Sequence, residues 1–320
     1  MIRNWIPFWL AVVMVLGFPR LVFCYLELRK SAGVEQDDNA THIETIDETA
    51  ISVLTEAGHT EMPLNEYLVG VLLAEIPGEF HVEAQKAQAV VARTYALRTI
   101  QFKGKHDYSA ICTNSECCQG YRSPEDYLKI GGSPSRVQQA RYAVDETSGE
   151  ILKYSGAIID ATYFSCSGGQ TEDALAVWGV DIPYLQSVSS PGEEGAAYFT
   201  DRIVFTYKAF QEAVGRELSG SPSRWFGGIT YTRGGGVESM LIGGKLYTGT
   251  EIRTILGLRS TAFEITVTND SIVITTKGFG HRVGMSQYGA QAMALKGSTH
   301  SEILSHYYPG TVIDKEAIFS

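Results

Sequence analysis

Positive charge is what this sequence of 320 residues is short of: 26 Lys and Arg stand against 36 Asp and Glu, a formal net charge of −10. That balance argues against nucleic acid as a partner and against a polybasic membrane patch. It also gives the chain no electrostatic means of capturing an acidic polymer, so a glycan has to be held by stacking and hydrogen bonds. The 17 Tyr and 4 Trp can supply such surfaces, although core packing is the commoner fate of any one ring. Cysteine is scarce, at 5 residues, and no two have the C-x2-C spacing of an ordinary zinc knuckle. No G-x-S-x-G surrounds the Ser165-Cys166-Ser167 turn, which argues against a nucleophile there. The glycines at 278, 280 and 284 are spaced G-x-G-x-x-x-G, without a following βαβ unit or an acidic ribose partner. A nucleotide cradle is therefore not indicated.

What is present begins with an apolar N-terminus. Residues 5–19, WIPFWLAVVMVLGFP, carry no charge, and LVFCYL follows Arg20. Counted across Arg20, which can snorkel to the interface, the stretch has about the length a bilayer needs. No small-x-small cleavage site follows, so residues 1–30 are expected to form an uncleaved transmembrane anchor rather than a removed signal peptide. Basic residues on both sides leave its orientation undecided. Residues 31–49 are polar and acidic without apolar period, as in a linker. Residues 50–320 are expected to form one α+β domain, a helix pair packed on short antiparallel strands and hairpins, with 183–258 a candidate sub-lobe.

The stretch from Asn65 to Phe102 organises that domain. Asn65 is expected to cap a helix with Tyr67, Leu68, Val71 and Leu72 on its apolar stripe. Pro77 disfavours a helical residue before it, so the helix should end near Glu75 or Ile76. A second helix then places Ala84, Ala87, Val91, Thr94 and Leu97 on one face. Glu75 thus sits at a helix C-terminus, where partial negative charge and apolar neighbours both favour a protonated carboxyl. A carboxyl protonated near neutral pH is what a general acid requires. A surface glutamate without a role is the bland alternative.

Strands are expected at 51–55, in a hairpin across Ser155-Gly156 and in another across Asn269-Asp270. Helices are expected from Pro134, within 207–218, at 251–258, from Met285 to a stop at Gly297, and from a Thr299/Glu302 capping box onward. The loop from Gly104 to Ser123 carries His106, Cys112, Cys117 and Cys118, the number of ligands a structural zinc takes. Adjacent cysteines strain such a site, and a disulfide from Cys112 to Cys117 or Cys118 competes with it in an exported domain. His281 in its glycine loop can donate to a sugar hydroxyl, orient a carboxylate or simply bond nearby backbone. Gln287 and Tyr288, at the following helix start, can face the same groove.

Three ordered blocks carry a family resemblance: LLAEIPGEFHVEAQKAQAVVARTYAL, YFSCSGGQTEDALAVWGVDIPYLQSV and GFGHRVGMSQYGAQAMALKGSTHSEILSHYYPGT. Together they resemble the stage II sporulation protein D family, whose members are membrane-anchored lytic transglycosylases that cut peptidoglycan during forespore engulfment. The resemblance implies Glu75 as sole acid/base and a C-terminal domain outside the membrane at the sporulation septum. It also implies partners in a cell-wall amidase and a membrane scaffold protein. Arg93, Thr94 and Tyr95 on the second helix can contact substrate, with core packing the alternative for Tyr95, and Ser165, Ser167 and Gly168 are expected in or beside the substrate groove. Some members look to have a metal in the loop matching residues 104–123. Related proteins look to be noncatalytic amidase enhancers, which is the rival reading. Where members often have glycine after the histidine of the third block, this chain has Arg282, expected to crowd the loop.

Overall fold

A computed structural model describes residues 48–102, 106–107 and 110–315. The expected anchor and most of the expected linker lie outside these residues. No helix among the described residues is long and apolar enough to cross a membrane.

The chain alternates short strands with short helices. Strand β1 (Ala50–Thr55) turns at Gly58 into β2 (Gly58–Pro63) and pairs in parallel with β3 (Ile111–Cys112). Helix α1 (Leu64–Glu75) starts on Pro63 without a side-chain cap. Asn65, expected to cap it, lies inside the helix and accepts only from the next backbone N–H. Proline at the preceding position fixes the chain direction instead. Ile76 is extended, with φ −125°, and closes the helix just before Pro77, as the proline rule requires. Helix α2 (Val82–Gln101) is capped by the His81 ring. Its small-residue face is buried throughout, from Ala84 to Leu97.

Helices α3 (Pro124–Lys129) and α4 (Pro134–Glu146) each begin with a serine cap and a proline in the first turn, where a missing N–H costs nothing. Strands β4 (Glu150–Tyr154) and β5 (Ala157–Ile158) form the expected hairpin. Strand β6 (Tyr163–Phe164) and helix α5 (Ala174–Trp178) follow. Next come β7 (Thr200–Thr206), α6 (Tyr207–Val214), β8 (Phe226–Tyr231), β9 (Val237–Ile242), β10 (Lys245–Thr248) and α7 (Gly249–Leu256). The hairpin β11 (Phe263–Val267) and β12 (Ser271–Lys277) adds β7 as its third strand. Residues 285–286, expected as helix, form β13 against β6, so α8 (Gln287–Leu295) starts two residues later. Helix α9 (His300–Tyr307) has both hydrogen bonds of the expected capping box. Strand β14 (Val312–Lys315) closes on β4.

Two apolar clusters result. One gathers α1, α2, α4, β4, α8 and α9 around Tyr67, Leu72, Val91, Leu152 and Tyr307. The other is built from Phe210, Trp225, Ile242, Ile252 and Ile274. This second core thus takes in the β11–β12 hairpin, beyond the sub-lobe expected at 183–258. A histidine clamp ties chain segments across the first cluster: His300 meets Glu83 at 3.1 Å and Glu150 at 3.0 Å.

Candidate active site

The helix pair and the two later blocks converge by backbone pairing. Parallel pairing sets Tyr163 opposite Met285 and Phe164 opposite Ser286. Cys166 and Phe279 exchange backbone hydrogen bonds, at 3.2 and 2.7 Å. The end of α1 reaches the same place, and a pocket of about 660 Å³ opens between them. Of the expected site residues, Glu75, Tyr95, Ser165, His281 and Gln287 line it, together with Cys117 and Cys118. Among the described residues, no Lys or Arg lines it.

Glu75 is half-buried in the last turn of α1. Burial raises its carboxyl above the ordinary range, against a backbone bond from Gly120 and a side-chain bond from Tyr163 that favour the charged form. The donors are supplied by a short relay. Tyr67 Oη donates to Gln119 Oε1 at 3.2 Å, and Gln119 Nε2 donates to Tyr163 Oη at 3.3 Å. The Tyr163 proton is thereby left free to point at Glu75. Neither Gln119, Gly120 nor Tyr163 was identifiable from sequence spacing, because each approaches Glu75 from a distant segment. Glu116 also lines the pocket, exposed on the cysteine loop. The acidic residues just beyond the Pro77 corner stand elsewhere: Glu79 is exposed, and Glu83 is engaged by His300 and Lys86.

Four expected groove residues do other work. Arg93 is fully buried, donating to the carbonyls of Val144 and Glu150 at 3.2 Å each. It pins α2 to the α4–β4 connection and does not line the pocket. Ser167 is buried, and its hydroxyl and amide both donate to Glu193 Oε2 at 2.8 Å. Gly168, at φ +76°, lies where a Cβ would come within 2.9 Å of the Lys277 backbone. Its glycine serves chain-to-chain approach rather than substrate approach. Tyr288 packs edge-on against Phe80, with ring centroids 5.1 Å apart, and is not among the lining residues. The buried Glu193 joins these pieces, accepting also from Cys166, Gly168, Ser190 and Ser286. Ser286 in turn caps α8.

His281 lines the pocket, but its nitrogens are occupied. Nδ1 accepts from the Val283 amide at 3.1 Å, and the ring also bonds the Tyr163 backbone. Burial, aided by the charge of Arg253, pulls its pKa down to about 4, so the ring is neutral at physiological pH. Arg282 does not crowd the loop. It is buried with φ +66°, and its side chain turns into the interior. There it pairs with Glu172 at 3.1 Å and donates to the carbonyls of Ser167, Gln170 and Gly234.

The cysteine loop is compact. The side-chain ligand atoms of His106, Cys112, Cys117 and Cys118 all lie within 4.8 Å of one another. His106 Nε2 is 3.4 Å from Cys117 Sγ and 3.6 Å from Cys118 Sγ, and the two sulfurs are 4.0 Å apart. Tetrahedral zinc with N and S ligands has edges of about 3.5–3.8 Å, so the donor set and spacing fit that ion. A disulfide needs sulfurs at about 2.05 Å, and no disulfide joins the four described cysteines. The expected strain of adjacent ligands is relieved by a tight turn, in which Asn114 O accepts from both Cys117 and Cys118 amides.

Sequence comparison agrees with this architecture. A family model described as stage II sporulation protein matches residues 56–154. The chain is 36% identical to stage II sporulation protein D of Bacillus amyloliquefaciens, over 96% of this chain and 94% of the relative. It is 35% identical to the Bacillus subtilis (strain 168) protein of the same name, with the same coverage. An amidase enhancer of Bacillus subtilis (strain 168) is 27% identical over 77% of this chain and 40% of its own length. The chain belongs to the stage II sporulation protein D family.

Proposed function

We propose that the protein is a lytic transglycosylase that cuts peptidoglycan glycan strands during spore engulfment. The observation that carries the reading is Glu75: a carboxyl with raised pKa in an open pocket that no described Lys or Arg lines. A raised pKa favours the protonated form, from which the carboxyl can give its proton to the glycosidic oxygen. The carboxylate left behind is met by the Gly120 amide and the Tyr163 hydroxyl. It then takes the proton of the muramic acid 6-hydroxyl as that oxygen closes on the anomeric carbon. The products are a free sugar hydroxyl and a 1,6-anhydro end, with Glu75 reprotonated. No second carboxylate is needed, whereas a hydrolase ordinarily uses two.

The Cys/His cluster is the place for one zinc, which would supply a structural clamp on the loop that ends at Gly120. The N-terminal apolar stretch is read as a single-pass anchor, with the C-terminal domain outside the membrane at the sporulation septum. A cell-wall amidase and a membrane scaffold protein are the proposed partners there, and nucleic acid is not. The likeness to an amidase enhancer supports a second reading, a noncatalytic glycan-binding activator.

Glu75→Gln in the full chain decides between the two. The expected result is a folded protein that no longer releases anhydro-muropeptides, which are one water lighter than hydrolysis products. Retained cleavage by that variant removes Glu75 from the mechanism. Wild-type chain that binds denuded glycan without cutting it favours the activator. A water-added product, lost in Glu116→Gln, points to a hydrolase.

A further inference from the structure

Trp178 is the last residue of α5, stopped there by Gly179 in the left-handed region. Its side chain lines the pocket, and the residue is 43% exposed. Leu175 and Val180 beside it in the chain are each 56% exposed. A large aromatic left partly open on a pocket wall, with two more exposed apolar residues near it in the chain, offers a surface that a ligand can cover. The other described tryptophan, Trp225, is 5% exposed in the second core. Trp178 is also held in place. The His281 ring stands 5.5 Å from it and 5.6 Å from Phe164 on another side. With its nitrogens committed to Val283 and Tyr163, His281 is a backing plate for the indole rather than a proton carrier.

We infer that Trp178 is a stacking platform for the pyranose ring of an uncharged N-acetylhexosamine bound in the Glu75 pocket, with His281 as its positioning residue. The inference rests on the glycan-strand reading and specifies which part of the polymer is gripped there. An indole face suits the apolar C–H face of a pyranose. Among the described residues the pocket lining offers carboxylates and no Lys or Arg, so it suits a neutral amino sugar better than the anionic lactyl-peptide branch. The sequence-level shortage of positive charge points the same way.

The test uses full-length protein in detergent and the hexasaccharide of N-acetylglucosamine, with binding followed by calorimetry. Trp178→Ala should weaken binding at least about tenfold, and Trp178→Phe by no more than about threefold, since a smaller ring keeps the stacking face. On glycan strands the loss should fall on KM more than on kcat, as for an interaction made in both ground and transition states. Binding by Trp178→Ala within twofold of wild type overturns the platform. So does a variant that keeps oligosaccharide binding but loses stimulation of an amidase, which would assign the ring to a protein partner. Repeating the titration with Glu75→Gln separates this inference from the catalytic reading. Tight, Trp178-dependent binding there supports the platform even if no strand is ever cut.

Discussion

The Glu75 pKa is raised although two donors favour the charged form, because the loss of hydration on burial outweighs them. That balance sets a pH dependence. Tyr163 lowers the Glu75 pKa, so Tyr163→Phe should raise it further. In the proposed reaction the alkaline limb of the cleavage rate then moves to higher pH. At the same time kcat should fall by about tenfold or more, since the carboxylate formed in the reaction loses a preorganised donor. A pH–rate profile of the Phe variant checks both, and an unchanged profile and rate would show that the phenol takes no part. At this scale the sequence was legible where chemistry follows from local position. A proline two residues on and apolar neighbours at helical spacing marked Glu75 as a candidate, and the family resemblance singled it out from a plain surface glutamate. Arg93 was misread because a buried arginine that feeds backbone carbonyls looks, in one dimension, like a polar residue facing a groove. Tyr163 escaped notice because nothing local marks a tyrosine whose hydroxyl is aimed by a glutamine from another segment.

Among elements, helices with caps and prolines were readable, and the two-residue strands were not. A pair such as Tyr163–Phe164 against Met285–Ser286 has no periodicity to detect, yet it brings two blocks into register. The cysteine loop makes the same point. Sequence spacing left zinc and disulfide open, and a turn on Asn114 that aims adjacent thiols together was not foreseeable. Because Gly120 follows two residues after Cys118 and donates to Glu75, the loop and the acid are mechanically linked. The purified full-length chain is expected to carry about one zinc, as a tetrahedral four-ligand set implies. Cys112→Ser should lose most of it and lower cleavage, while leaving Trp178-dependent oligosaccharide binding largely intact. Elemental mass spectrometry with a thiol titration checks this. A metal-free chain with a Cys112 disulfide would overturn it.

At the scale of the whole molecule, the third block sits where the two apolar clusters meet. Arg282 draws the Gly234 carbonyl of the β8–β9 turn toward the Ser167 and Gln170 carbonyls of the pocket segment. Glu172 bonds both Arg282 and the Gly236 amide of that turn. Glycine could adopt the φ of +66° found at this position without strain but could make none of these bonds. Removing the guanidinium leaves a buried carboxylate without its counter-charge, which typically costs about 3–5 kcal/mol. Arg282→Ala should therefore lower unfolding stability by about that amount, and also keep the backbone strain of a side chain at positive φ. Arg282→Gly relieves the strain and should be the more stable of the two variants by about 1 kcal/mol. Denaturant unfolding of both variants beside wild type measures the pair of differences. A loss under about 1 kcal/mol in Arg282→Ala, well below the cost of an orphaned buried charge, would mean that other contacts hold the second core against the pocket.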